Sequence, residues 1–495
     1  MSLTLPVIGG RPSASSNVKK KVYFVSLGCP KNQVDTEVML GVVEAGGHEL
    51  VDDPEAADTL VVNTCGFIDA AKEESIETIL ELAAVKTGAT RGEGSAAKQL
   101  VVTGCLSQRY PTQLADEMPE VDHFLGSADM LGLERVLAGA APRLGVSELD
   151  RRAWLYDHAT PRRTYGAGHS NFVKIAEGCD RPCGFCIIPK LRGPQRSRPV
   201  FDIVEEVHGL VEAGTREVCL VAQDLTTYGT DFAARGMAPS NLEGLLDALG
   251  EIPKLRWIRL HYAYPTAVTP GLISRIVEHP KVATYLDVPL QHVDTGVLKS
   301  MRRGYTEKVV RQLVEDLRAA EARAGSRLWL RTTMLVGHPG EDEAAYARLR
   351  EFVGEGQIDH LGVFPWSRED GTVSAMQPKR VDTAVAEARA TELMQMQAEI
   401  RARKFEEMIG EVIEVMVDGL SAESELLLDG RHEGQAPEID GKVILCDGTA
   451  EPGEVHRVRV LDATDHDLVA SFDLERMPGD ELDGGDDDDL VPVDD

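Results

Sequence analysis

Three cysteines, Cys179, Cys183 and Cys186, share one loop of sequence EGCDRPCGFCIIPKLR at 177–192. Their C-x3-C-x2-C spacing lets three thiolates face one metal centre and leaves a fourth position open. A 4Fe-4S cube held in this way keeps one iron free for an outside ligand. Structural zinc wants four ligands, commonly two pairs, and neither a second pair nor a nearby histidine follows. A disulfide fits poorly with a chain that otherwise reads as cytosolic. Three unrelated core cysteines would rarely share one Gly- and Pro-containing loop. The spacing therefore favours an open-site iron–sulfur cluster.

A second set is dispersed. Cys29, Cys65 and Cys105 each follow a short apolar run within a few residues: VYFVS (22–26), TLVVN (59–63) and QLVVT (99–103). Helical patterns at 34–45 and 70–84 lie between, so βαβ alternation and an open parallel sheet are expected. Taken singly, each cysteine reads as a small core residue. Parallel strands, however, carry all three to one carboxyl edge, where open sheets bind ligands. Gly28, Gly66 and Gly104 adjoin them and allow tight turns around a bulky group. A second cluster is expected there.

The elements behind the first triplet follow the same logic. NFVKIA (171–176) has a strand pattern, so the cysteine loop leaves the carboxyl end of a strand. Comparable runs recur at helix-sized intervals: EVCLVAQ (217–223), RWIRLHY (256–262), YLDVPLQ (285–291), LWLRTTMLV (328–336) and HLGVFPW (360–366). Six βα units make a partial (βα)6 TIM-like barrel, open at one side and able to admit a macromolecular substrate. Polar strand ends suit a bound nucleoside and amino acid: Gln223 and Asp224, Gln291 and His292, and LVGHPGED (335–342), with Gly337 and Gly340. His292 and His338 read as caps or satisfied groups. Cys219 and Cys446 read as inert packing. Met394, Met396, Ile400 and Phe405 form a core stripe on a helix at 383–408. Five short segments after 409, divided by Gly/Asp turns, predict a small OB-like β-barrel.

Composition bounds the function. The 495 residues carry a formal net charge of -30 and a pI near 4.9. Such a chain repels nucleic-acid phosphate and attracts a basic protein. No apolar run approaches the roughly 18 residues of a membrane span. The first residues lack a charged segment followed by an apolar one. A cytoplasmic, reducing location is expected, with eight cysteines serving metal chemistry. The expected organisation is a disordered leader (1–20), an open α/β domain (21–137), a linker (138–168), the partial barrel (169–408), the small barrel (409–473) and an acidic tail (474–495). A polar insertion occupies 87–98.

The first triplet, placed after a first barrel strand, resembles the radical S-adenosylmethionine (SAM) enzymes. The whole order over 21–472 resembles the methylthiotransferases: an N-terminal cluster domain, a radical SAM domain and a TRAM barrel. VSLGCPKNQVDTE, VVNTCGFIDAAKEES, EGCDRPCGFCIIPKLRG and LLLDGRHEGQAPEIDG are similar to the branch that methylthiolates the β-carbon of an aspartate in ribosomal protein S twelve. The insertion, the segment after Met477 and His338, where the family often has an aromatic residue, depart from its pattern.

The resemblance implies two 4Fe-4S clusters, one on Cys29, Cys65 and Cys105 and one on Cys179, Cys183 and Cys186. It implies SAM on the open iron of the latter, with Gln223, Asp224 and Gly337 as candidate contacts, and no catalytic side chain. Cleaved SAM would yield a 5′-deoxyadenosyl radical that abstracts hydrogen from a carbon no base could usefully deprotonate. Sulfur would come from the first cluster. Implied partners are ribosomal protein S twelve or the small ribosomal subunit, a reducing electron donor and a sulfur donor, without a membrane or strong tRNA binding. Glu438 and Asp440 in the QAPEIDG turn are expected to favour the basic partner. The alternatives are a MiaB-like tRNA adenosine methylthiotransferase and a non-catalytic iron–sulfur or ribosome-binding protein.

Overall fold

The computed structural model describes residues 19–88 and 98–479. The expected leader (all but its last two residues), most of the 87–98 insertion and the run of acids from 480 onward lie outside the described residues. The chain divides into two compact units, Met1–Arg163 and Thr164–Asp495.

The first unit alternates strand and helix: β1 (Lys21–Ser26), α1 (Pro30–Ala45), β2 (Glu49–Leu50), β3 (Thr59–Thr64), α2 (Asp69–Thr87), β4 (Gln99–Gly104), α3 (Cys105–Arg109), α4 (Pro111–Glu117), β5 (His123–Leu125), α5 (Gly132–Leu137) and β6 (Leu144–Gly145). The strands form one parallel sheet in the order β2-β1-β3-β4-β5-β6. Successive strand residues face opposite sides. Leu60, Val62, Leu100 and Val102 meet Ile79 and Leu82 of α2, whereas Val61 and Val101 meet Met39 and Val43 of α1. Burial on both faces explains why these strands read as unbroken apolar runs.

The segment expected as a free connector belongs to this unit as far as Arg163. Its β6 extends the sheet, and Arg162 makes two hydrogen bonds to Glu37, at 2.8 and 2.5 Å, in a pair almost closed to solvent. The short strands β2, β5 and β6 were not anticipated, because two or three edge residues carry no periodicity.

The second unit begins with β7 (Ser170–Lys174), β8 (Ala176–Glu177), α6 (Ile188–Arg192), β9 (Arg196–Ser197), α7 (Val200–Glu212), β10 (Glu217–Val221), α8 (Leu242–Gly250), β11 (Trp257–Leu260) and α9 (Pro270–Glu278). It continues with β12 (Val282–Asp287), α10 (Thr295–Ser300), α11 (Glu307–Ala324), β13 (Trp329–Val336), α12 (Glu343–Gly354), β14 (His360–Pro365) and α13 (Thr383–Glu406). Six strands form an open parallel sheet, β14-β13-β12-β11-β10-β7, as the six apolar runs require. NFVKIA does not stay one strand. After Lys174 the chain leaves the sheet, and Ala176 and Glu177 pair antiparallel with β9, which carries the cysteine loop away from the sheet.

On α13 the buried stripe is Ala386, Ala390, Leu393, Gln397 and Ile400, at helical spacing. Met394 is exposed and does not belong to it, whereas Met396 and Phe405 pack against buried clusters. Cys219 is fully buried; Cys446 is only partly so.

The last five strands, β15 (Val412–Leu420), β16 (Leu428–Arg431), β17 (Val443–Leu445), β18 (Val455–Ala463) and β19 (Leu468–Ser471), close into a barrel in the order β15-β16-β17-β19-β18. Its core merges with Ala283 and Tyr285 of β12, with Trp329 at the start of β13 and with Phe405 of α13. Buried ions reinforce this seam. Glu217 accepts from Arg259 Nε at 2.7 Å and from Arg431 Nη1 at 2.8 Å. Arg431 also donates to Asp418, which His169 contacts at 2.8 Å.

Asp440 overturns its expected role. Its side chain is 1% exposed; it accepts from Tyr285 Oη at 2.8 Å and Arg331 Nη1 at 3.0 Å. The turn is polar because it carries a domain anchor, and of its two acids only Glu438 is exposed.

Two consequences can be measured. Asp440→Ala strands buried Tyr285 and the partly buried Arg331 and should cost about 3–5 kcal/mol, whereas Glu438→Lys should change stability by less than about 0.5 kcal/mol; urea unfolding followed by intrinsic tryptophan fluorescence separates them. Burial would raise the Glu217 carboxyl, but Arg431 and Arg259 outweigh it and lower it to about 2. A depressed carboxyl stabilises the fold above its unfolded value and loses that contribution as pH falls through its folded value. Stability should therefore fall between about pH 4.5 and 2, less steeply in Glu217→Gln, as read by acid titration of unfolding midpoints.

Candidate functional site

In the first unit, Cys29, Cys65 and Cys105 leave β1, β3 and β4, three adjacent parallel strands. Cys29 immediately precedes α1, and its carbonyl accepts the Asn32 and Gln33 amides at 2.8 and 3.1 Å. Ser75 of α2 holds Cys65 from both sides, donating to its carbonyl at 2.9 Å and accepting its amide at 3.1 Å. Cys105 opens α3 immediately after Gly104. The loops approach so closely that a β-carbon on Gly28 would stand 2.9 Å from Cys65 Cβ and 3.2 Å from its sulfur. Gly104 has φ +95° and abuts Asn63 and Thr64. Both positions demand glycine.

Two asparagines that sequence reasoning missed tie these loops together. Asn32 Nδ2 donates to the carbonyls of Leu27 and Thr64 at 2.8 and 3.0 Å, and its Oδ1 lies 4.0 Å from Cys105 Sγ. Asn63 Nδ2 donates to the Asn32 carbonyl at 2.9 Å and to Thr36 at 2.9 Å. Their signal was an asparagine inside an apolar strand and another three residues after a candidate ligand.

In the second unit, the cysteine loop is pinned by its backbone. Cys179 N–H donates to the Gly193 carbonyl at 3.0 Å, Cys186 N–H to that of Cys183 at 3.2 Å, and Gly184 N–H to that of Met301 at 2.8 Å. Burial pushes the Cys179 thiol up to about 11 and the Cys186 thiol up to about 12. Such thiols are not free nucleophiles; a metal must supply the charge that ionises them.

Beneath the loop, Glu177 is buried and accepts from Lys174 Nζ at 2.6 Å, Arg192 Nη1 at 3.3 Å and Gln223 Nε2 at 2.7 Å. Burial alone would raise its carboxyl, but Lys174 and Arg192 hold it far below the usual range. Gln223 Oε1 is buried without a partner among the described residues, an acceptor suited to a ligand. Asp224 accepts from Arg181 Nε at 2.6 Å and caps the turn at Thr226. Gly337 is placed differently. Its N–H donates to Glu341 at 3.0 Å, and its missing side chain makes room for Ala386 of α13. Gln223 and Asp224 thus adjoin the cysteine loop, while the contacts of Gly337 are structural.

His338 is a satisfied interior group, whereas His292 is buried with only its Nδ1 bonded and its Nε2 3.5 Å from Glu341 without a hydrogen-bond partner among the described residues. Asp294 N–H donates to His292 Nδ1 at 2.9 Å, and His338 Nε2 lies 2.8 Å from Ser374 Oγ.

Among the described residues, no three His, Cys, Asp or Glu side chains converge to hold a single metal ion. A cube need not have that: its irons occupy separate corners, so its thiolates stand apart. All-thiolate triplets on glycine-tightened loops fit such a group in each unit.

Comparison with known proteins agrees with this layout. Residues 21–126 match the family described as Uncharacterized protein family UPF0004, 173–353 the Radical SAM superfamily and 409–472 the TRAM domain. The ribosomal protein uS12 methylthiotransferase RimO of Sorangium cellulosum is 48% identical over 455 residues, covering 92% of this chain and 91% of the relative. That of Geobacter sulfurreducens is 44% identical over 458 residues, covering 92% and 99%. The radical SAM methyltransferase TsrM from Kitasatospora setae, solved with cobalamin and a [4Fe-4S] cluster, shares the fold at TM-score 0.51 with 13% identity, over 72% of this chain and 74% of that one. No described helix is long and apolar enough to cross a membrane.

Replacing Cys179, Cys183 and Cys186 with Ala should leave about four irons per reconstituted chain in place of about eight. Replacing Cys29, Cys65 and Cys105 should do the same. Iron and sulfide analysis reads both, and loss of all iron from either variant would mean that the sites are not independent.

Proposed function

The chain belongs to the RimO family of ribosomal protein uS12 methylthiotransferases, and from that premise we propose that it adds a methylthio group to the β-carbon of an aspartate of uS12. The observation that carries the proposal is the pair of cysteine triplets, each lifted to the carboxyl edge of its own parallel sheet. Cys179, Cys183 and Cys186 would hold the cluster that takes SAM, and Cys29, Cys65 and Cys105 the cluster that carries sulfur. When bound, these groups supply one-electron cleavage of SAM and transfer of methylated sulfur.

The chain's own residues orient and shield that chemistry. Glu177 fixes Gln223 by accepting from its amide nitrogen, which leaves Gln223 Oε1 free to accept from SAM. Arg181 holds Asp224 beside the loop, so Asp224 shapes the pocket edge. Gly337 lets α13 close against the end of β13. No side chain need act as acid or base, since the hydrogen leaves as an atom.

Net charge of -30 favours basic uS12 over tRNA through long-range attraction. A low-potential electron donor and a sulfur donor complete the reaction, and a cytoplasmic location fits ribosomal work.

Mass spectrometry of uS12 from cells with and without the gene for this chain tests the reading. The expected result is a methylthio group on one aspartate only when the chain is present. A methylthio group on an anticodon-loop adenosine, with unmodified uS12, would overturn it in favour of the MiaB-like reading. Gln223→Leu should weaken SAM binding about tenfold, the ~1.4 kcal/mol of one lost hydrogen bond, without loss of iron; equilibrium dialysis of SAM checks this.

A further inference from the structure

Two adjacent arginines, Arg302 and Arg303, follow α10. Arg302 is exposed, whereas Arg303 is 6% exposed. The turn itself sends Arg303 inward, since Arg302 and Gly304 both have positive φ, 56° and 74°. That turn is tied to the cysteine loop through Gly184 N–H on the Met301 carbonyl at 2.8 Å. Its position relative to Cys183 is therefore set by backbone bonding.

The guanidinium of Arg303 is held on every side. Nη2 donates to the Pro289 carbonyl at 2.7 Å and Nε to Tyr305 Oη at 2.8 Å. Its carbon lies 4.4 Å from the Tyr264 ring centre and 5.3 Å from that of Tyr305. The Tyr264 hydroxyl donates to the Arg303 carbonyl, and Arg181 stacks on the same ring at 3.8 Å. The third nitrogen, Nη1, donates to Cys183 Sγ at 3.3 Å. By contrast, Cys179 sulfur accepts the Arg181 backbone amide at 3.4 Å.

We propose that Arg303 is a positioning residue for the cysteine-loop cluster: a fixed cation whose N–H on Cys183 sulfur raises that cluster's reduction potential. This rests on the loop holding a cluster. Reduction adds one electron to a group already carrying thiolate charge, and a buried cation with a hydrogen bond to sulfur favours the reduced form. Lysine would keep the charge but could not make the same fork of contacts.

The test uses the full-length chain with Cys29, Cys65 and Cys105 replaced by Ala, so that one cluster gives the signal. It is titrated anaerobically with a low-potential chemical reductant and followed by electron paramagnetic resonance. Arg303→Gln should disfavour reduction about tenfold, ~59 mV downward for a one-electron couple, and Arg303→Lys should fall between it and the parent. A fully loaded Arg303→Gln chain with the parent's potential would overturn the proposal. Independently of any Arg303 variant, guanidino-nitrogen-15 arginine should show hyperfine coupling to the reduced cluster in the parent. Its absence would also overturn the proposal. Too little iron in the parent would sink the cluster reading itself.

Discussion

Thiolates gathered in a buried loop repel one another and lose hydration, so the chain can hold them only where positive charge compensates. The cysteine loop of the second unit is built around that constraint. Burial drives Cys179 and Cys186 toward the neutral thiol, which leaves ionisation to the metal. Below the loop, Lys174 and Arg192 share the single carboxylate of Glu177. Above it, Arg303 reaches Cys183. The cluster would thus complete a charge balance that the folded chain leaves unfinished.

Parallel strands solve the geometric half of the problem. A βα unit places its loop at the carboxyl edge whatever the loop's sequence. Three adjacent strands then bring Cys29, Cys65 and Cys105 together across 76 residues, the separation from 29 to 105. The contiguous triplet needs only one strand end. Away from the carboxyl edge, the small barrel packs on the second sheet through Trp329 and Glu217, which begin β13 and β10, and through Tyr285 and the ions around Asp440. Stability and chemistry thus occupy different parts of the same sheet.

Much of this was legible in the sequence. Apolar runs at helix-sized intervals predicted both parallel sheets, because strands buried on two faces leave an unbroken hydrophobic signal. Cysteine spacing predicted the ligands, because the chemistry needs that residue type. Long-range polar partners were not legible. Asp440 in a Gly-flanked turn looks like surface charge, yet it anchors Arg331, 109 positions away in the chain. Arg303 beside Arg302 looks like a basic surface loop until positive φ turns one inward. Met394 stands six positions before Ile400, about 120° round the helix, whereas Leu393 stands seven before it and meets the core. Asn32 and Asn63 announced themselves only as polar residues in apolar surroundings.

The two cysteine sets would divide the labour between SAM cleavage and sulfur delivery, and that division stands or falls on one variant. It is tested most directly by measuring 5′-deoxyadenosine and methylthio product side by side in the chain whose Cys29, Cys65 and Cys105 are Ala, under reducing anaerobic conditions with SAM and uS12. The expected result is that 5′-deoxyadenosine still forms while no methylthio group reaches uS12. Methylthio product at the normal yield would contradict it and reduce those three cysteines to packing.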